Sequence, residues 1–138
     1  MYGQLRTDKG LAYLLDAAEL VPDVHVLIGG EDAGALTAVR ERLASPALRG
    51  RVTLREGFQE MRETAELFAA ADTVALPYRA ASQSGVLLLA YGYARPVIIY
   101  PVGGMVEAVI DGETGWICAE PSVQALARAL ADLSLIHI

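Results

Sequence analysis

The residues best suited to chemistry lie in a polar loop that precedes an apolar helix. The loop, residues 81–85, reads Ala-Ser-Gln-Ser-Gly, and its small side chains allow a backbone to approach a ligand closely. A helix is predicted to begin there. The first amides of a helix have no partner within it, and the helix dipole is positive at that end. The loop therefore predicts an anion site, above all for phosphate.

A second glycine turn, residues 101–104, follows a short β-branched run. Open α/β sheets bind ligands at the carboxyl ends of their strands, so this turn is expected at the ligand edge. Other reactive residue types give weaker signals. His25 has no second His or Cys at metal-ligand spacing and is interpreted as structural, and Cys118 as ordinary packing. Ser84 lacks the G-x-S-x-G frame of a nucleophile elbow.

Alternating helices and strands are predicted to position these loops. Apolar periodicity indicates helices near residues 11–18, 64–71 and 123–133, and a charged, exposed helix at 35–43. Strands are predicted at residues 24–28, 51–54, 72–76, 97–100 and 116–118. The helix at 86–91 is apolar on every side, which predicts burial. This alternation predicts an α/β fold, a doubly wound, Rossmann-like parallel sheet with helices on both faces.

Composition bounds the class of protein. The 138 residues predict one domain, residues 1–134, and an irregular tail at 135–138. A net charge of −6 argues against nucleic acid as a partner. A single cysteine excludes an internal disulfide and fits a reducing compartment. No apolar run approaches the roughly 20 residues of a transmembrane segment, and no signal peptide is recognised. We therefore expect a cytoplasmic protein.

Both ends of the sequence are expected to be cut. A doubly wound sheet has its first strand in the middle, yet at most residues 1–3 precede the first glycine turn. No glycine cap or turn signal follows Leu133. The chain is therefore interpreted as a fragment of something longer.

A series of motifs runs in order through nearly the whole chain. They are GxLxxxKG, LIGG, a glycine loop, AAD…LPY, SGVLLLAYGYARPVI, VGGMVEAVIDGETGW and a final ALARAL helix. This ordered set resembles the C-terminal, nucleotide-sugar-binding half of a GT-B glycosyltransferase of the retaining group 1 (family 4) class. The resemblance implies transfer of a sugar from a nucleoside-diphosphate sugar, with no cofactor and no metal. It also implies a missing N-terminal GT-B domain as partner.

The resemblance also implies roles for particular residues. Lys9 matches one of two basic residues on the donor diphosphate, while Gln4 replaces the other and Arg6 is a candidate substitute. The remaining matches are to the phosphate loop (Gln83, Ser84 and Gly85), the donor sugar (Ser82, Gly103, Gly104 and Glu107) and the base (Gly57 and Phe58).

The chain departs from the family at its paired-glutamate motif. The two positions are Ala81 and Leu89, and neither side chain can accept a hydrogen bond. The chain resembles a subgroup that has an SQSG-like loop and lacks the pair. In that subgroup Ser82, Gln83 or Arg79 would meet the donor sugar.

Three of the implied residues have structural alternatives. Lys9 could be a solvated lysine at a helix start. Phe58 could stack on a base or be buried as a staple before the next helix. Glu107 could simply favour the dipole of a helix's first turn.

The function has alternatives as well. The chain could be a non-catalytic nucleotide-binding or interaction domain derived from a glycosyltransferase. A GT-B sugar-nucleotide epimerase shares the architecture, but it would need acidic and histidine groups in the cleft.

Overall fold

The computed structural model describes residues 1–80 and 83–136, with side chains described as far as residue 134. The strands of these residues are β1 (Leu5–Arg6), β2 (Val26–Gly30), β3 (Asp32–Ala33), β4 (Val52–Glu56), β5 (Val74–Leu76), β6 (Val97–Ile99) and β7 (Gly115–Ile117). The helices are α1 (Leu11–Leu20), α2 (Ala35–Ala38), α3 (Arg40–Leu43), α4 (Met61–Ala70), α5 (Gly85–Gly92) and α6 (Val123–Ile136). Short 3₁₀ turns occupy Thr7–Lys9, Pro46–Leu48 and Gly103–Ala108.

The named strands pair in parallel throughout the described residues. β1 pairs with β3, β2 pairs with β4, and β6 lies between β5 and β7. A single parallel bridge joins Tyr2 to Gly29. The predicted α/β class with parallel strands is confirmed. Within the described residues the hydrogen bonds of these strands nevertheless form three groups rather than one continuous sheet.

Helices cover both faces of the strands. Ile98 belongs to an apolar cluster that includes α1 and α6, whereas Val97 and Ile99 belong to a second cluster that includes residues of α4 and α5. Successive residues of a strand point to opposite faces, so this division places the clusters on the two sides of the sheet. The doubly wound arrangement predicted from the sequence follows from it.

The sequence-based boundaries need several corrections. The predicted helix at residues 35–43 is two short helices that meet at Val39, whose side chain is buried because it packs into the first cluster. The glycine turn at residues 101–104 leads into a 3₁₀ turn, Gly103–Ala108, where the interpretation of Glu107 as a first-turn residue assumed an α-helix. The last helix continues through Ile136, so residues 135 and 136, predicted as part of an irregular tail, are helical. Residues 137 and 138 lie outside the described residues.

The predicted burial of α5 is also wrong in part. Leu87 and Ala90 are buried, but Leu88 is 68% exposed. The helix packs one side onto the sheet, so its apolar residues on the far side face outward. None of the helices in the described parts of the chain combines the length and apolar character that crossing a bilayer needs.

Arg51 fixes the connection between α1 and β2. Its Nη1 donates to the carbonyl oxygens of Ala18 (3.0 Å), Val21 (3.1 Å) and Val24 (2.9 Å). Ala18 lies in the last turn of α1 and the other two residues follow the helix, so Arg51 adds a side-chain donor to a turn in which the Val21 amide bonds Ala18 and the Val24 amide bonds Val21. One side chain on the β4 side therefore ties down the turn that delivers β2 to the sheet.

His25 also has a structural partner, as predicted. Its Nε2 lies 2.8 Å from the hydroxyl of Thr53. The contact joins the β2 side of the sheet to β4, where Thr53 lies.

Candidate functional site

A cavity of about 420 Å³ lies between the Thr7–Lys9 turn and the start of α5. It brings together all five residues predicted to bind the diphosphate, and five others complete its lining. The full lining is Arg6, Asp8, Lys9, Tyr78, Ala80, Gln83, Ser84, Gly85, Val86 and Leu89. We call this the Lys9 cavity.

The Thr7–Lys9 turn is held against the exit of β5. The amide of Arg79 donates to the carbonyl of Asp8 (3.0 Å), and its guanidinium donates to the carbonyl of Thr7 (3.2 Å). Gly10 follows the turn at φ +77°, and a Cβ there would lie 2.0 Å from the carbonyl oxygen of Pro77. A glycine is required at this close approach. Arg79, one candidate for the donor sugar, thus also braces the turn that carries Lys9.

Lys9 is partly buried at the wall of the cavity. Its ammonium lies 5.6 Å from the centre of the Tyr78 ring, within cation–π range. Burial lowers the pKa of Lys9, the positive charge of Arg6 lowers it further, and the carboxylate of Asp8 raises it. The ammonium is thus partly stripped of water and close to a second cation, unlike that of a fully solvated lysine. An anion in the cavity would relieve both costs.

Arg6 already has an anionic partner. Its Nε and Nη2 donate to the two carboxylate oxygens of Asp8 at 3.1 and 3.2 Å. The hydrogen bond from Arg6 lowers the pKa of Asp8, so the carboxylate stays charged. Among the lining residues the charges are Arg6 and Lys9 against Asp8, which leaves one net positive charge at neutral pH.

The start of α5 forms the opposite wall. Ser84 is the N-cap, and its hydroxyl oxygen accepts a hydrogen bond from the amide of Leu87 (3.3 Å). The same hydroxyl donates to the hydroxyl of Tyr78 (3.4 Å). Burial raises the pKa of Tyr78, so the phenol stays neutral. Because the Ser84 side chain is engaged as a cap, the groups offered to an anion here are the backbone amides at the helix start.

Leu89 occupies the second glutamate position of the family motif and lines the same cavity. It is half-buried there, one helical turn beyond the exposed Gly85. The first position, Ala81, and the predicted sugar residue Ser82 lie outside the described residues. If the motif is aligned as in the sequence analysis, the apolar Leu89 side chain therefore occupies the position of the family's second glutamate, in the cavity that Lys9 also lines.

The other predicted ligand residues lie near the same edge but outside the cavity. The amide of Gly57 donates to the carbonyl of Gly30 (2.8 Å). Gly30 itself lies so close to Gly3 that a Cβ on Gly30 would be 1.7 Å from the carbonyl oxygen of Gly3. Gly3 in turn lies beside Lys9 and Val86. The contacts thus link the Gly57 loop to the Lys9 cavity.

Phe58 follows Gly57 with its side chain 76% exposed. The alternative that it is a buried staple is therefore wrong. An exposed ring at this edge is available to stack on a flat ligand group.

Gly103, Gly104 and Glu107 follow β6 on the carboxyl side. Parallel pairing of β5 with β6 puts that turn at the edge where β5 reaches Pro77. Glu107 is exposed in the Gly103–Ala108 turn. Within the described residues, these three are not in the lining of the Lys9 cavity.

Sequence reasoning missed the two other polar side chains of the lining, Tyr78 and Asp8. Tyr78 directly follows the proline that ends the β5 segment, and an aromatic residue at a strand exit is a signal that could have been used. Asp8 lies two residues from Arg6 in one turn, which is close enough to pair with it. Both residues contribute to the cavity through tertiary contacts, Tyr78 with Lys9 and Asp8 with Arg6.

Comparison with known proteins points to one family. A model described as glycosyl transferases group 1 matches residues 1–135. The D-inositol 3-phosphate glycosyltransferase of Mycolicibacterium gilvum is 32% identical over 134 residues, which is 95% of this chain and 30% of that protein. The enzyme of the same name from Mycolicibacterium paratuberculosis is 34% identical over the same length. The chain therefore spans about a third of these relatives.

Solved structures show the same fold. Anabaena HepE in complex with UDP-glucose superposes with a TM-score of 0.82 at 25% identity, over 97% of this chain and 38% of that one. The C-terminal domain of the Francisella tularensis group 1 glycosyl transferase LpcC gives 0.81 at 20% identity, over 96% of this chain and 72% of that one. The agreement with a C-terminal domain indicates which part of the longer relatives this chain resembles.

Proposed function

Because the chain belongs to the group 1 glycosyltransferases, we propose that it is the donor-binding half of an enzyme that transfers a sugar from a nucleoside-diphosphate sugar. One observation carries this proposal: a half-buried ammonium and a helix start face each other across a single cavity. A pyrophosphate carries charged oxygens that a cation and backbone amides can bind from two sides. The complex of Anabaena HepE with UDP-glucose supports a nucleotide sugar as ligand, and UDP as the first base to test.

In this proposal the chain contributes electrostatic catalysis. Breaking the bond between the sugar and the distal phosphate leaves negative charge on the departing nucleoside diphosphate. The Lys9 ammonium and the amides of Gln83, Ser84 and Gly85 would stabilise that charge from two sides of the cavity. Arg6 would add to it only if its pairing with Asp8 loosens. Phe58 would stack on the base, and Ser82, Gly103, Gly104 and Glu107 would contact the sugar.

We further propose that an N-terminal GT-B domain supplies the acceptor. The acceptor hydroxyl would enter from above the carboxyl ends of the strands, the edge where the Lys9 cavity opens. Transfer with retention of configuration is expected from the class that the sequence resembles. A cytoplasmic location follows as an expectation from the single cysteine and the need for a nucleotide sugar.

A second candidate function is a non-catalytic nucleotide-binding domain. The observation in its favour is Leu89, an apolar side chain in the cavity where the family motif has a carboxylate. Both candidates bind nucleotide, so binding alone does not separate them. Turnover of a nucleotide sugar by a longer protein that contains this chain does: the first candidate predicts sugar transfer and the second predicts none.

Calorimetry with UDP, GDP and ADP against uridine tests the phosphate site itself. The diphosphates should bind and the nucleoside should bind at least tenfold more weakly. Lys9→Ala removes one charge-assisted contact of about 1.5–3 kcal/mol, which corresponds to about ten- to a hundredfold in affinity. Arg128→Ala, an exposed cation on α6, is the matched charge control and should have no such effect. Equal binding of nucleoside and diphosphate would reject the site.

A further inference from the structure

The phenol of Tyr91 joins two elements that the proposed function uses for different parts of the donor. Tyr91 lies in α5, the helix whose start is proposed to bind the diphosphate. Its hydroxyl donates to the carbonyl oxygen of Ala108 at 2.8 Å. Ala108 is the last residue of the Gly103–Ala108 turn and directly follows Glu107. One side chain therefore connects α5 to the residue after a proposed sugar ligand.

A second hydroxyl fixes the direction of this bond. The Tyr91 hydroxyl also lies 3.1 Å from Oγ1 of Thr114, which accepts from the amide of Ile110 at 2.8 Å. A phenol has one proton, and a carbonyl oxygen can only accept. The Tyr91 proton therefore goes to Ala108, and the Thr114 hydroxyl proton goes to Tyr91. The result is one chain of hydrogen bonds that begins at Ile110 and ends at the Gly103–Ala108 turn.

Glu107 lies between two points at which apolar packing anchors the turn. Met105 is 1% exposed and Val109 is 6% exposed, and both belong to the apolar cluster that includes residues of α5. The residues between them are exposed. Burial does not fix the backbone of an exposed stretch, so its orientation depends on polar contacts. The bond from Tyr91 to Ala108 is such a contact.

A carboxylate that binds a sugar hydroxyl must be well placed. Such hydrogen bonds form over about 2.5–3.0 Å between oxygens and weaken steeply at poor angles. Binding groups are held to within about 0.5 Å only when neighbouring contacts lock them. A helical rise of about 1.5 Å per residue puts Tyr91 about 9 Å along α5 from Gly85. The helix thus acts as a spacer between the phosphate amides and the turn that carries Glu107.

We propose that Tyr91 is a positioning residue for binding of the donor sugar, and that it acts by holding Glu107 in place. This inference rests on the proposed function, because it takes a nucleotide sugar as the ligand and Glu107 as a residue that contacts the sugar. Tyr91 itself touches no part of the donor in this account. Loss of its hydroxyl should therefore weaken recognition of the sugar and leave recognition of the diphosphate unchanged.

The test measures the affinity of the 138-residue chain for UDP-glucose divided by its affinity for UDP, which we call the sugar ratio. Calorimetry gives both affinities. Glu107→Gln should lower the sugar ratio about two- to tenfold, the effect of one hydrogen bond. Tyr91→Phe keeps the ring, so it should lower the sugar ratio about twofold or more while the Kd for UDP stays within about twofold. Because Tyr91 acts through Glu107, the double variant should fall no further than Glu107→Gln alone.

Two threonines supply a supporting variant and a matched control. Thr114→Val removes the hydroxyl that donates to Tyr91, so it should lower the sugar ratio as Tyr91→Phe does. The Thr73 hydroxyl donates to the carbonyl of Pro96 (2.9 Å) just before β5, at the strand end opposite the ligand edge. Thr73→Val should therefore lower Tm without changing the sugar ratio. A purely structural role of Tyr91 would give the same result as this control.

Four results would overturn the proposal. An unchanged sugar ratio in Tyr91→Phe, with a lowered one in Glu107→Gln, would reject the positioning role and leave the proposed function intact. Additive losses in the double variant would show that Tyr91 acts independently of Glu107. An unchanged ratio in Glu107→Gln would remove the contact that Tyr91 is proposed to hold. Failure of the unmodified chain to bind UDP would reject the proposed function, and this inference with it.

Discussion

The ammonium of Lys9 lies 5.6 Å from the centre of the Tyr78 ring, on the wall of the cavity opposite the start of α5. Tyr78 is itself nearly fully buried, which fixes the ring. A fixed ring limits the positions of the lysine side chain, so the charge is held at the cavity before any ligand arrives. The pair links a residue predicted from the sequence to one that the sequence analysis overlooked.

Removing the ring should therefore weaken anion binding while removing only its hydroxyl should not. Tyr78→Phe keeps the aromatic face, and we expect the Kd for UDP to stay within about twofold. Tyr78→Leu loses a cation–π contact of about 0.5–1 kcal/mol or somewhat more, so the affinity should fall about two- to tenfold. Calorimetry on both variants measures this. If Tyr78→Phe and Tyr78→Leu lose the same affinity for UDP, the loss comes from the missing hydroxyl and its contact with Ser84, and not from the ring.

Asp8 should oppose phosphate binding. Its carboxylate lines the cavity and accepts hydrogen bonds from Nε and Nη2 of Arg6. Asp8→Asn removes a negative charge and releases Arg6, so the affinity for UDP should rise several-fold at low salt and less at high salt. Asp132→Asn removes the same charge from an exposed position on α6 and serves as the control. A weaker affinity in Asp8→Asn would mean that the ion pair positions Arg6 for the ligand.

Leu89→Glu restores the family carboxylate at a half-buried position on the cavity. The new carboxylate also repels phosphate, so the Kd for UDP alone would combine two opposing effects. The quantity to follow is the affinity for UDP divided by the affinity for pyrophosphate. One new hydrogen bond to the ribose, about 0.5–1.5 kcal/mol, should raise that ratio about two- to tenfold.

Two neighbouring positions control for folding in this experiment. Leu88→Glu, on the exposed face, should leave Tm nearly unchanged, and Leu87→Glu, at a buried position, should lower it strongly. If Leu89→Glu melts like Leu87→Glu, the motif register is wrong.

The buried Met1 amine should make stability depend on pH. Its pKa is lowered by burial to about 5, so between pH 5 and 8 the unfolded chain binds more protons than the folded one. The free energy of unfolding should therefore rise from pH 5 to pH 8, by at most about 4 kcal/mol from this group. Urea denaturation at several pH values measures the slope.

N-terminal acetylation is the control for this slope. It removes the amine but leaves unchanged Asp23, His25 and Asp72, which line the same cavity between β2 and β5 as Met1. The acetylated chain should lose most of the dependence between pH 5 and 8. An identical slope in both forms would attribute it to the other groups.

Local patterns explain what the sequence predicted well. Apolar periodicity and glycine turns identify strands and helices because they depend on neighbours in the chain. The prediction of an anion site at residues 83–85 depends on a local pattern of the same kind, since a helix start exposes amides whatever packs around it. The parallel pairing then followed from alternation of the elements, which brings strand ends such as Pro77 to one edge.

Tertiary contacts explain what the sequence did not predict. Leu88 belongs to an all-apolar helix, and only the packing of α5 shows that this residue faces outward. Phe58 could be stacked or buried on sequence grounds, and its 76% exposure depends on how the Gly57 loop leaves β4. Tyr78 matters because its ring lies beside the Lys9 ammonium, and Asp8 because it pairs with Arg6. The residues adjacent to Tyr78 and Asp8 in the sequence do not predict these contacts.

Lys9 is the chain's only lysine, which allows its charge to be observed directly. Reductive methylation with ¹³C-formaldehyde labels its Nζ, and the absence of the signal in Lys9→Ala assigns it. Titration with UDP should shift the Lys9 resonance saturably, with the Kd found by calorimetry, while uridine at tenfold higher concentration should leave it in place. A resonance that stays unmoved at saturating UDP, or that moves equally with uridine, would contradict the phosphate site on which the proposed function depends.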